Sequence, residues 1–195
     1  MIINIYGSTG IIGSKSLDLV SKYFPKLKIN LLVANNNIKK MLYQVNKYRP
    51  KYVFLNDNHN NIILKKALKN TKVVVFNELE LKLYLKENKS DYSILCVSGY
   101  NSLLYFEYII NNTLNLGLVS KECIVSAGHL FKNIFKKNKV KIFPLDSEHF
   151  SLFDCFNLNK IKKYKDINKI FLTASGGPFL NLDLKQFKYV SLAKA

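Results

Sequence analysis

The chain has 195 residues, 48% of them apolar and 13% aromatic, enough for one full domain with a sizeable core and part of a second. Its 30 Lys and Arg against 13 Asp and Glu give a net charge of +17, but the lysines stand singly and in pairs beside many Asn, Ile, Tyr and Phe. That pattern is a compositional drift of solvent-facing positions, and it comes without the aromatic-basic motifs of known nucleic-acid modules or an apolar run of about 18 residues. The N-terminus opens on a strand-like Ile2 to Tyr6 with no leader pattern, so we expect a soluble, cytoplasmic protein with neither a membrane nor a nucleic acid as partner.

Strand-like runs are predicted at Ile2 to Tyr6, Ile29 to Ala34, Tyr52 to Leu55, Val73 to Phe76, Tyr92 to Val97, Leu116 to Val119 and Lys141 to Phe143. Helical stretches fall between them, at Ile12 to Tyr23, Ile38 to Tyr48, Asn60 to Leu68, Leu79 to Glu87, Ser102 to Asn111 and Ser126 to Lys136. Such alternation with short connections predicts an α/β fold, a Rossmann-like, mostly parallel sheet with helices on both faces. After Phe150 the texture turns basic and polar before another strand-like run, Ile170 to Thr173. We therefore expect a first domain over 1–146 and, over 147–195, the start of a second, α/β catalytic domain. The final stretch stops at Ala195 without a capping glycine or proline, where a helix reads as still in progress.

Cys96, Cys123 and Cys155 are widely spaced, odd in number and without a C-x-x-C pair, which predicts buried, reduced thiols.

Gly7-Ser8-Thr9-Gly10-Ile11-Ile12-Gly13 follows the first strand and opens the first helix, the context that a dinucleotide-phosphate loop requires. Its glycines permit a tight turn, close approach of a pyrophosphate and close packing of helix on sheet, while the helix N-terminus offers N–H groups to phosphate. Asn35-Asn36-Asn37 follows the second strand, where an NAD site would place an acid on the ribose. With no carboxylate there and Lys39 and Lys40 close behind, NADPH is favoured over NADH; an Asn-rich turn capping the next helix fits the residues equally well. Ser98 to Ser102 after the fifth strand is either a cofactor contact or a helix-start turn. Lys121 and Glu122, after the sixth strand, are most simply a solvated helix start, although they project from the edge where ligands of open sheets bind.

Asp146-Ser147-Glu148-His149 sets two carboxylates one residue apart at a strand end, which suits a hard cation such as Mg²⁺ or Mn²⁺. A plain helix cap by Asp146 or Ser147 fits as well. Ser175, with Gly176 and Gly177, offers a hydroxyl and exposed amides for an oxyanion, or a strand-ending turn.

Gly7 to Gly13, Ser120-Lys121-Glu122, Pro144 to His149 and Leu172 to Phe179 together resemble, in order and spacing, the 1-deoxy-D-xylulose 5-phosphate reductoisomerase family, over the whole of this chain. The resemblance implies NADPH- and divalent-metal-dependent isomeroreduction of that sugar phosphate to 2-C-methyl-D-erythritol 4-phosphate, in non-mevalonate isoprenoid synthesis. It implies that Thr9, Gly10, Ile11 and Ile12 cradle NADPH, with Asn35, Asn36, Asn37, Ser120 and Glu122 also at the cofactor. Lys121 and Glu148 would be catalytic, Lys121, Ser147, Glu148 and Ser175 would bind substrate, and Asp146 and Glu148 would ligate the metal. Family members are typically homodimers and about twice this long. The remaining half would carry a third metal carboxylate, a substrate-covering loop and most of the phosphate site, so the 195-residue polypeptide is expected to be an inactive fragment.

Three positions depart from the family pattern. Ile11 replaces a serine, Asn35-Asn36-Asn37 stands where Gly-Lys-Asn is usual, and Ser120 replaces an asparagine, changes expected to weaken NADPH binding without abolishing it. Two other readings are another NADP-dependent two-domain dehydrogenase, disfavoured by the lack of a suitably flanked cysteine, and a basic nucleic-acid module.

Overall fold

The computed structural model describes residues 1–158, 164–171 and 179–191. Its strands are β1 (Ile2–Tyr6), β2 (Lys28–Ala34), β3 (Tyr52–Leu55), β4 (Val74–Val75), β5 (Ser90–Leu95), β6 (Thr113–Leu118) and β7 (Lys141–Pro144). The helices are α1 (Ile11–Tyr23), α2 (Ile38–Tyr48), α3 (Asn58–Ala67), α4 (Glu78–Glu87), α5 (Leu103–Asn112), α6 (Glu122–Asn138) and α7 (Ser147–Leu158). The seven strands form one sheet in the order β4-β3-β2-β1-β5-β6-β7, with every pairing parallel. The chain winds outward from β1 to β4, returns through α4, and winds outward the other way to β7. Strand order therefore reverses between β1 and β5, at the centre of the sheet.

Both faces are buried, which explains why the strands read as nearly unbroken apolar runs. Successive side chains alternate between faces. Ile3, Ile5, Leu32, Ala34, Val53 and Leu55 pack with Leu17 and Val20 of α1, Met41 and Val45 of α2, and Leu64 of α3. Tyr6, Leu31, Val33, Phe54, Leu95, Leu116 and Leu118 pack on the opposite face with Leu81 and Leu85 of α4, Phe106, Ile109 and Ile110 of α5, and Cys123 of α6. Polar residues set the helix starts: Asn37, Asp57 and Asn77 each accept a backbone N–H three residues on, at 3.0, 2.8 and 2.8 Å. At Asn77 the Glu80 carboxylate bonds back to the Asn77 N–H at 2.7 Å, closing a capping box.

Some boundaries differ from expectation. β5 ends at Leu95 rather than Val97 because the backbone of Gly7 lies against Cys96 and Val97: a Cβ on Gly7 would sit 2.7 Å from the Cys96 carbonyl carbon. β6 begins at Thr113 rather than Leu116, extended by the Ser90–Thr113 hydroxyl pair at 3.1 Å and by Asn115 Nδ2 donating to Asp91 O at 2.9 Å. α6 begins at Glu122, ahead of the expected Ser126.

By compactness the chain divides into Met1–Phe150 and Ser151–Ala195. In the second unit, 3₁₀ turns occur at Tyr164–Asp166 and Leu184–Tyr189, the latter capped by Asp183, which accepts the Lys185 N–H at 2.8 Å. Of the strand predicted at Ile170 to Thr173, Ile170 and Phe171 are not in a strand, and the rest lies outside the described residues, as do Leu192 to Ala195. Cys123 is buried and Cys96 half-buried, but Cys155 is exposed, against expectation, because α7 buries none of its residues. No helix among the described residues is long and apolar enough to cross a membrane.

Phe106 is fully buried and meets Phe131 edge-on, with ring centroids 5.2 Å apart. Phe106→Ala is expected to cost about 3–5 kcal/mol, read as a lower denaturation midpoint in urea.

Candidate functional site

The loop after β1 is shaped by backbone contacts that leave no room for side chains at two of its glycines. Gly7 has φ +82°, and Gly7 N and Ser8 N both donate to Val33 O of β2, at 2.8 and 3.0 Å. A Cβ on Gly13 would overlap the Gly7 carbonyl oxygen and lie 2.8 Å from Ser8 Cα, so α1 packs directly on the loop. Gly10 is the N-cap of α1 without a side-chain cap, and no acidic residue occupies the first turn. The helix ladder begins with Ser14 N donating to Gly10 O at 3.0 Å, so the N–H groups of Ile11, Ile12 and Gly13 precede it and are available to an anion. The Ile11 side chain is 75% exposed beside them.

Over the loop lies a cavity of about 320 Å³, lined by Thr9 and Gly10, by Asn35 and Asn56 beyond β2 and β3, and by Ser98 and Asn101 beyond β5. It opens at the reversal of strand order on the C-terminal edge, where open parallel sheets bind ligands. A larger groove of about 1190 Å³ lies among Lys28, Arg49, Lys51 and Tyr52, at the opposite edge, away from the glycine loop. The smaller cavity is therefore the candidate site. The Asn-rich turn serves two ends: Asn37 caps α2, as its Lys40 bond shows, and Asn35 lines the cavity, while Asn36 is exposed. Cys96 at the cavity wall is held as a thiol, its pKa pushed up to about 12 by burial, with a Ser16 hydrogen bond opposing.

One residue of the loop's support escaped the sequence reading. Gln44 of α2 is 1% exposed; its Oε1 accepts from Ser8 Oγ at 2.9 Å and its Nε2 donates to Ser8 O at 2.8 Å. The available signal was a glutamine on the apolar stripe Met41, Gln44, Val45, where a buried polar side chain needs a specific partner.

A second cluster follows β6 and β7 on the same edge. Strand ends there are stepped together by Cys96 N to Tyr6 O, Val119 N to Leu95 O and Leu145 N to Leu118 O, at 2.8, 3.0 and 2.8 Å. Ser120 is buried and its hydroxyl donates to Val97 O. Glu122, half-buried, stands in the first turn of α6, where its charge favours the helix dipole. Lys121 Nζ lies 2.8 Å from Glu148 Oε1, and Ser147 Oγ donates to Glu148 Oε2 at 2.7 Å. Asp146 Oδ1 accepts the His149 N–H at 3.0 Å and pairs with His149 Nδ1 at 2.7 Å. Asp146 thus caps α7. A carboxylate has further lone pairs to offer, so capping and metal ligation are compatible.

The Asp146 side chain is 11% exposed and that of Glu148 37%. Two carboxylates with a hydroxyl between them fit an oxygen-seeking divalent cation in donor type, and fall short of its usual six ligands. Among the described residues no group of three or more His, Cys, Asp or Glu is placed to hold a metal. Ser175 lies outside the described residues.

Lys121, first, and the Ser147 hydroxyl hold Glu148 down to about 2, and the Glu148 carboxylate in turn raises Lys121. A depressed carboxylate contributes stability that is present above its unfolded pKa, near 4.5, and lost as pH falls toward about 2. Lys121→Met is expected to move the Glu148 midpoint back up toward its ordinary range, followed by carboxyl-carbon NMR titration; an unmoved midpoint would show that the pair does not persist in solution.

The comparisons agree with this geometry. The family model of 1-deoxy-D-xylulose 5-phosphate reductoisomerase matches residues 3–128, and the model of that enzyme's C-terminal domain matches residues 142–195. The reductoisomerase of Pelagibacter ubique is 40% identical over 195 residues, covering 99% of this chain and 50% of the relative. The apicoplastic enzyme of Plasmodium falciparum is 32% identical, covering 98% of this chain and 43% of the relative. Among solved structures, the Zymomonas mobilis reductoisomerase in complex with NADPH superposes with a TM-score of 0.77 at 26% identity, over 95% of this chain and 48% of that one. A reductoisomerase in complex with NADPH, fosmidomycin and magnesium has a TM-score of 0.79 at 23% identity, a likeness of fold, over 100% of this chain and 50% of that one. The chain spans about half the length of the curated relatives it matches. With a family model over most of its length, a glycine loop at the reversal of the sheet and a carboxylate pair on the same edge, this chain belongs to the 1-deoxy-D-xylulose 5-phosphate reductoisomerase family.

Proposed function

We propose that these residues form the cofactor-binding half, and part of the metal site, of an enzyme that rearranges 1-deoxy-D-xylulose 5-phosphate and reduces the product with NADPH to 2-C-methyl-D-erythritol 4-phosphate. The observation that carries this reading is the opening of the glycine loop and of the Asp146–Glu148 pair on one edge of one sheet. In it, residues 1–146 are the NADPH-binding domain and residues 147–195 begin the catalytic domain. Thr9 to Ile12 cradle the pyrophosphate, with Thr9, Ile11 and Ile12 offering their N–H groups and Gly10, whose own N–H donates to Gly7 O at 3.0 Å, giving close approach, and Asn35 to Asn37 lie at the adenosine end, where no acid repels a 2′-phosphate. Ser120 orders the neighbouring strand ends through its bond to Val97 O, and Glu122 borders the cofactor.

Asp146 and Glu148 would hold a Mg²⁺ or Mn²⁺ ion, which supplies Lewis acidity and a template for the substrate's oxygens. Lys121 and Ser147 then act first on Glu148, keeping it ionised and oriented, and next on the sugar phosphate, which Ser175 also touches. The net charge of +17 draws such an anion toward the site. A homodimer of the full-length polypeptide and a cytoplasmic setting belong to the same reading. A dehydrogenase using a cysteine nucleophile is disfavoured, since burial raises the thiol pKa of both Cys96 and Cys123.

The purified 195-residue chain is expected to bind NADPH, measured by cofactor fluorescence, and to show no NADPH oxidation when 1-deoxy-D-xylulose 5-phosphate and Mn²⁺ are added. Failure to bind NADPH would remove the cofactor assignment, and measurable turnover would show that these residues suffice for the chemistry. Asp146→Asn is expected to raise the dissociation constant for Mn²⁺, read from the signal of free Mn²⁺ in electron paramagnetic resonance, while leaving NADPH binding unchanged.

A further inference from the structure

The buried contact between Gln44 and the glycine loop has a directional consequence. Ser8 C=O and Thr9 N–H belong to one peptide group, and a planar trans peptide points its oxygen and its hydrogen in opposite directions. Gln44 Nε2 draws the Ser8 oxygen toward α2 at 2.8 Å, while the Ser14 hydroxyl shares its one proton between Gly10 O at 2.7 Å and this oxygen at 3.1 Å. The N–H on the far side of that peptide is that of Thr9, a residue that lines the cavity over the loop. Ser8 itself is fully buried, and its own N–H, which belongs to the preceding peptide group, is fixed on Val33 O, so the residue that leads into the Ser8–Thr9 peptide is held in place.

We propose that Gln44 is a positioning residue for cofactor binding: by holding the Ser8 carbonyl it aims the Thr9 N–H into the cavity, as a donor to the pyrophosphate of the dinucleotide. This rests on the NADPH reading above and adds to it a residue on a different helix that never touches the ligand. A glutamine suits the task because one side chain both donates to the carbonyl and accepts from the Ser8 hydroxyl, which also sets the orientation of its amide. Leucine or methionine at this position would fill similar space and remove the Gln44 donor from the Ser8 carbonyl.

The test compares NADPH with 2′-AMP, which carries the adenosine phosphate but no pyrophosphate. Gln44→Met is expected to weaken NADPH binding about tenfold while leaving 2′-AMP binding unchanged. Equal losses for the two ligands, or no loss for NADPH, would overturn the proposal, because a packing role would act on both. A measurement that needs no variant guards against misfolding. In the ¹⁵N-labelled parent, the Thr9 amide resonance is expected to move downfield on NADPH addition, and a Thr9 amide that stays put while its neighbours move would sink the inference. Resonances that are all unmoved would instead count against NADPH binding itself.

Discussion

Backbone packs on backbone where the sheet reverses direction, and the remainder of the site follows from that contact. Gly7 lies against Cys96 and Val97 at the end of β5, and Gly13 brings α1 down onto Gly7 and Ser8. With no side chains between them, β1, its loop and the first turn of α1 pack directly against one another. The helix N-terminus is thereby brought to the edge of the sheet, with its first N–H groups not taken up by the helix. Ending β5 early has a second effect: Cys96, Val97, Ser98 and Asn101 become the far wall of the cavity instead of continuing the strand.

The electrostatics of the edge divide along the strand order. At β1 and β2 the loop amides, the acid-free start of α1 and the neutral asparagine turn form an environment made for anions. At β6 and β7 two carboxylates gather; Lys121 pairs with Glu148, and His149 Nδ1 and its backbone N–H hydrogen-bond Asp146. Both pairs are partly exposed, so they add little stability.

The polar interior serves position more than stability. Ser8 with Gln44, Asn61 with Leu55 N and Phe76 O, and Ser120 with Val97 O each tie a loop to a neighbouring element. All of these lie near the edge on which the cavity opens. Away from that edge the two cores beneath the helices are built chiefly from Leu, Ile, Val and Phe.

Much of this was legible in the amino-acid order, because local physics decides it. Alternating apolar runs and amphipathic stretches specify strands and helices, glycines at 7, 10 and 13 specify a phosphate loop, and Asp146-Ser147-Glu148-His149 specifies either a cap or a metal site. Tertiary structure decided the rest, because the deciding contacts join residues far apart in sequence. Gln44 reads as a misplaced polar residue until α2 brings it to Ser8, and Val97 reads as strand until Gly7 crosses it. At Asp146 the folded chain shows the cap, with one carboxylate oxygen accepting the His149 N–H, and spacing alone does not tell which residue of the motif makes it.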